Sequence, residues 1–129
     1  IDELPRCQVH GRLSLAQVHQ HLAAAAIFWF TSWRDTSGNV LLEAMQNGCV
    51  PLAIDHQGVP LLCPAPALRV PLTELDELVA TFAARTRSLA AASDRRNDLA
   101  DWCRRQAARH RPPAVLAGIA QEIDACLDH

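Results

Sequence analysis

Two short apolar runs, AIFWFT from Ala26 and VPLAI from Val50, restrict what this chain can fold into more than any other feature. Neither alternates polar with apolar residues, and aromatic and branched side chains dominate both. Strands of that kind are buried on both faces, the usual condition of a parallel sheet. Between them the sequence predicts a polar turn carrying Arg34 and Asp35, a helix opened by Gly38 and running to about Gln46, and a left-handed cap at Asn47-Gly48. A strand, a crossover helix and a second parallel strand make one β-α-β unit, whose right-handed connection places the helix on a sheet face. Open α/β sheets bind ligands outside the carboxyl ends of their strands, so the turn after the first run is where a site is expected.

The flanks extend the same pattern. Cys7 to His10 is a weak strand candidate ended by Gly11, and Ser14 caps a helix in which Leu15, Val18, Leu22 and Ala25 recur at helical spacing. After Ile54 the proline-rich stretch DHQGVPLLCPAPALRVPL reads as loop, with one helical turn near Val59 to Leu62 and a short strand at Leu68 to Val70. Helical spacing then continues to the end. Thr73 is an N-cap candidate before an apolar face of Leu75, Leu78, Val79, Phe82 and Ala83. Asp94 is a second, before a helix with Leu99, Trp102 and Cys103 inward and Arg95, Arg96, Arg104 and Arg105 outward. Pro112-Pro113 starts a last helix carrying Val115, Leu116, Ile119, Ile123 and Leu127. The expected fold class is α/β: a partial Rossmann-like parallel sheet flanked by helices, with a helical C-terminal third.

Composition narrows the function classes. The 129 residues fit one domain, and their 50% apolar content is enough for a core. A net charge of -2 gives no basic field for nucleic acid. All 12 basic residues are Arg, eight of them between Arg85 and Arg111, so no lysine is present for a Schiff base or a phosphate clamp. The five cysteines form no C-x-x-C pair and read as reduced thiols, which suits the cytosol. No apolar run is long enough to span a bilayer.

The Asp35 to Gly38 turn suits an anion. A helix start exposes backbone N–H groups and carries a favourable dipole, Gly38 permits close approach, and Ser37 and Asn39 add neutral donors. Glu43 shares a helical face with Asn39, from which a carboxylate reaches toward paired hydroxyls such as those of ribose. Asp35 would lie at the sugar end. Spacing alone favours a simpler account, in which Asp35 and Ser37 cap the helix and Glu43 is a solvated charge.

The segment Ser32 to Pro51 resembles the signature of the retaining GT-B glycosyltransferases of family four. There, two acidic residues with seven others between them precede a small residue, a methionine or leucine, and a glycine before the next strand. This chain has Asp35 and Glu43, then Ala44, Met45 and Gly48. Gly11 with the Ser14 helix, AIFWFTS, and the turn from Asp55 to Val59 are similar to the flanks of that signature, so the likeness covers most of Gly11 to Gly58. It implies that Glu43 binds the nucleotide ribose, that Asp35, in place of the usual Glu, contacts the donor sugar at the catalytic position, and that backbone amides at Gly38, Asn39 and Val40 face the diphosphate and sugar.

The same resemblance implies transfer with retention from a UDP- or GDP-sugar, without metal or other cofactor, to a glycan or lipid-linked acceptor. The family's diphosphate-clamping Arg and Lys and its acceptor domain precede the matched part and have no counterpart in these residues. The chain is accordingly expected to be the C-terminal portion of a nucleotide-sugar-binding domain, residues 1–129, from a bacterial enzyme of polysaccharide assembly, able to bind but not to transfer by itself. In the family's strand order the fourth strand, AIFWFT, would then have one unpaired edge, which invites dimerisation.

Lesser features complete the reading. Trp29 is expected in the core and Trp33 in a nucleotide or sugar pocket, while His56 is the one histidine near the site. His19 and His21 would point to different sides of their helix. The Arg-rich helices read as solvated, with peripheral contact to an anionic membrane as a further expectation, placing the protein in the cytoplasm at the inner membrane face. Other classes are a stand-alone nucleotide- or phosphate-binding or interaction module, and a receiver-like domain, which would need a lysine that is absent.

Overall fold

The computed structural model describes residues 6–33 and 39–128. Three strands, β1 (Ile27–Phe30), β2 (Val50–Asp55) and β3 (Arg69–Pro71), form one sheet in the order β1-β2-β3, and both pairings are parallel. Ile27 lies opposite Val50 and Phe30 opposite Ala53, while Ala53 and Asp55 lie opposite Arg69 and Pro71. The central strand is buried from Val50 through Ile54, as an unbroken apolar run requires. Pro51 is accommodated there by register. The Val50 N–H points toward β1, donating to Ala26 O at 3.0 Å, so the next nitrogen points toward β3, which does not begin pairing until Ala53.

Helix α1 (Leu15–Ala24) starts in a complete capping box: Ser14 Oγ accepts from Gln17 N and Gln17 Oε1 accepts from Ser14 N. Helix α2 (Asn39–Gln46) buries Leu41, Ala44 and Met45 against the sheet. It ends in a Schellman motif, with Gly48 N donating to Met45 O and Cys49 N to Ala44 O, and with Gly48 at φ +72°. A Cβ at Gly48 would overlap the Arg104 guanidinium, which lies over this helix end. The position thus excludes a side chain on two counts, backbone conformation and space.

A short helix α3 (Val59–Leu62) and a 3-10 turn (Pro66–Leu68) lead into β3. Arg85, on helix α4 (Leu75–Ala91), donates to the carbonyls of Pro66, Ala67 and Arg69 and so closes this corner of the sheet. Helix α5 (Ser93–Ala108) packs on α2 through a core containing Ala100, Cys103 and Ala107. A second apolar cluster of Leu22, Ala44 and Cys49, with Val18 and Phe28 against it, joins α1 to α2 and the sheet. Helix α6 (Pro112–Leu127) begins at the proline pair as expected, but Val115, Leu116, Ile119, Ile123 and Leu127 are all exposed.

Several expectations change. Cys7 to His10 is exposed and forms no strand, because no neighbouring strand offers it a ladder. The chain stays extended through Glu74, so the cap of α4 falls there and not at Thr73; α5 starts at Ser93, which puts Asp94 in its first turn. Leu75 and Val79 are exposed while Leu78 and Phe82 are buried. Trp29 is 50% exposed instead of core, since β1 is an edge strand; its indole lies 5.4 Å from Phe82 and donates to Thr86 Oγ1 at 2.9 Å. Arg96 turns back to donate to the Leu89 and Ala90 carbonyls, satisfying the end of α4.

Candidate functional site

Parallel pairing of β1 and β2 means that α2 runs against the strands and starts on the side of their carboxyl ends. Helix α1 enters β1 after only Ala25 and Ala26, and it packs beside α2. The fifth residue of α1, His19, meets the fifth residue of α2, Glu43: His19 Nε2 lies 3.5 Å from Glu43 Oε2. The two helices therefore run in step, with both N-termini on the side where the strands end.

Glu43 is not a freely solvated charge. Its side chain is 27% exposed, enough to accept a ligand hydroxyl and too little to rotate without constraint. Its backbone carbonyl accepts from Asn47 Nδ2 at 2.8 Å, which fixes the far turn of the helix. Asn39 is exposed at the head of α2. Val40 is half-buried and lines an apolar recess of about 300 Å³ with His10, Leu13, Val18 and Phe28 among others. Glu43, Asn39 and Val40 thus share one short helix. Asp35, Ser37 and Gly38 lie outside the described residues.

The loops beyond the strands are tied together. Carbonyl oxygens only accept, so the 2.6 Å contact between His56 Nε2 and Trp33 O fixes the Nε2–H form of the ring. This bond joins the end of the segment after β1 to the end of β2, and Asp55 beside it pairs with Arg69 at 3.6 Å. Trp33 is 55% exposed and, with Trp29, Ile54, Leu78 and Phe82, borders a second apolar cleft of about 200 Å³ on the α4 side. Trp33 therefore stands beside a cleft, while His56 acts as a strut between loops.

No group of three or more metal-type side chains is assembled among the described residues. Cys49, Cys63 and Cys103 are buried, and desolvation raises their thiols to about 11, 11 and 12, where they are poor nucleophiles at neutral pH. The chemistry the arrangement supports is recognition: a partly shielded carboxylate on a helix that starts at the strand ends and whose Val40 lines an apolar recess. Sequence reasoning overlooked His19. It separated His19 from His21 correctly, His21 having its ring 4.4 Å from that of His10, but the partner of His19 belongs to another helix.

A family model described as glycosyl transferases group 1 matches residues 1–91. The match runs through the sheet and ends with α4, leaving α5 and α6 outside it. Comparison with curated proteins found no match, and neither did comparison with solved structures.

Proposed function

The chain belongs to the glycosyl transferases group 1 family, and from that premise we propose that it is the C-terminal, nucleotide-sugar-binding part of a retaining GT-B glycosyltransferase. That enzyme, in the proposal, moves a hexose from a UDP- or GDP-sugar to a glycan or lipid-linked acceptor, with no metal. The observation that carries this reading is the placement of Glu43: a half-buried carboxylate on the helix between two parallel strands, as a ribose site at the carboxyl ends of the strands requires. In the proposal Glu43 accepts from the ribose hydroxyls and Asp35 contacts the donor sugar. Ser37 and the amides of Gly38, Asn39 and Val40 face the diphosphate.

Stabilising a departing diphosphate takes fixed positive charge. Among the proposed site residues Glu43 and Asp35 are acidic and none is basic, so this chain by itself is proposed to bind donor and not to transfer sugar. The setting is the cytoplasmic side of a bacterial membrane, in polysaccharide assembly, with exposed Arg95 and Arg105 available to anionic lipid. Co-sedimentation with anionic liposomes that is unchanged by replacing both arginines would remove the lipid part. No helix among the described residues is long and apolar enough to cross a membrane.

Calorimetric titration of UDP, GDP and ADP tests the binding site. One nucleotide is expected to bind, and Glu43→Ala is expected to weaken it about 10- to 100-fold, the scale of hydrogen bonds to a charged group. Binding of none, or binding indifferent to Glu43→Ala, would defeat the assignment.

A further inference from the structure

We propose that His19 is a positioning residue for Glu43: its Nε2–H holds one carboxylate oxygen so that the carboxylate is preset for a vicinal diol of a bound nucleotide. The inference rests on the reading of Glu43 as the ribose acceptor. His19 Nε2 is buried and has no hydrogen-bond partner, although the ring as a whole is 44% exposed. A buried donor is expected to be satisfied, and the polar group 3.5 Å from it is Glu43 Oε2. That separation is a few tenths of an ångström beyond hydrogen-bond length, so a small closure of α1 on α2 completes the bond.

Glu43 is the one ionisable side chain of α2, and β1 has none, so among the described residues the carboxylate is the charged group that α2 and β1 present across the α1–α2 contact to His19. His21, two residues on, turns toward His10. A carboxylate has about four lone-pair sites, and a single N–H on Oε2 leaves enough of them for two hydroxyl donors. The gain is preorganisation: a long flexible acid is held in one rotamer before ligand arrives, so less freedom is lost on binding. Both residues being fifth in helices that run in step is what brings a ring from α1 to an acid on α2.

The test compares UDP, GDP and ADP with their 2′,3′-dideoxy analogues on the full chain, by calorimetry, for the parent, His19→Ala, His19→Gln and Glu43→Ala. Helical content by circular dichroism checks folding, and His19→Gln keeps an amide N–H where His19→Ala removes the donor. His19→Ala is expected to weaken the bound ribonucleotide about 3- to 10-fold, in line with one lost hydrogen bond. The dideoxy analogue is expected to be unaffected, and His19→Gln to restore most of the loss. Equal weakening of both nucleotides would mean general damage and overturn the proposal. So would parent-like affinity in His19→Ala while Glu43→Ala binds weakly, an outcome that leaves the ribose reading intact. Ribonucleotide binding indifferent to Glu43→Ala would overturn that reading itself, and no binding at all would overturn both.

Discussion

Glu43 and Gly48 were legible in the sequence because each is fixed by its own short string, LLEAM for the helix that carries the acid and Asn47-Gly48 for its end. His19 was not, because its partner comes from another helix and no local period reports such a contact. The cysteines were read as reduced thiols from spacing, and burial makes three of them unreactive as well. Cys7 and Cys126 are exposed, so a thiol reagent at pH 8 is expected to label these two rapidly and Cys49, Cys63 and Cys103 only after unfolding.

Burial raises the folded thiol values from 9.0 to about 11, 11 and 12, so between these limits the folded state holds protons that the unfolded state has lost. Their contribution to stability is fully present below pH 9 and is lost as pH rises toward 11 and 12. Urea midpoints are therefore expected to fall from pH 9 upward, less steeply in Cys103→Ala than in the parent. A midpoint flat to pH 11 would contradict the burial of these thiols.

At the scale of elements, the helices were legible from their periods, and the starts at Ser14 and Pro112 from their capping residues, while the exact starts of α4 and α5 and what covers the helices were not. The apolar stripe of α6 announces a helix, yet every one of its large side chains is exposed, because a period fixes a face and not its neighbour. The end of α2 shows the reverse case. Sequence indicates a left-handed glycine, and the fold adds Arg104 of α5 lying across it, a cation at the negative end of the helix. Gly48→Ala is expected to cost about 1–2 kcal/mol from backbone conformation, measured by urea unfolding, with an added loss from the displaced guanidinium. That added part should vanish in an Arg104→Ala background, as a double-mutant cycle reports. A neutral Gly48→Ala would show that the left-handed turn is not kept.

For the whole molecule, the parallel sheet and the buried run of β2 were legible, but AIFWFT is not buried as expected: of β1 only Phe30 is buried and Trp29 is exposed, since burial on both faces presumes neighbours beyond its open edge. The two edges differ. β3 is three residues long, ends in Pro71, and has its corner carbonyls taken by Arg85. Among the described residues β1 has no such guard, and it lies between two apolar clefts. Association through β1 is therefore expected. Sedimentation at rising concentration should give a mass above the 14.1 kDa of one chain, and Ala26→Lys with Thr31→Lys, both exposed beside the strand, should reverse it. A constant single-chain mass would refute this.

The sheet contains no hairpin: β2 meets β1 only across α2, and β3 only across α3 and the turn after it. Folding cannot begin with two strands zipped by a tight turn. The chain must first close a loop around a helix, giving up entropy before any ladder bond forms, and topologies of that sort reach their transition state slowly. β2 is common to both pairings, so neither ladder can form before the chain between α2 and β2 delivers that strand.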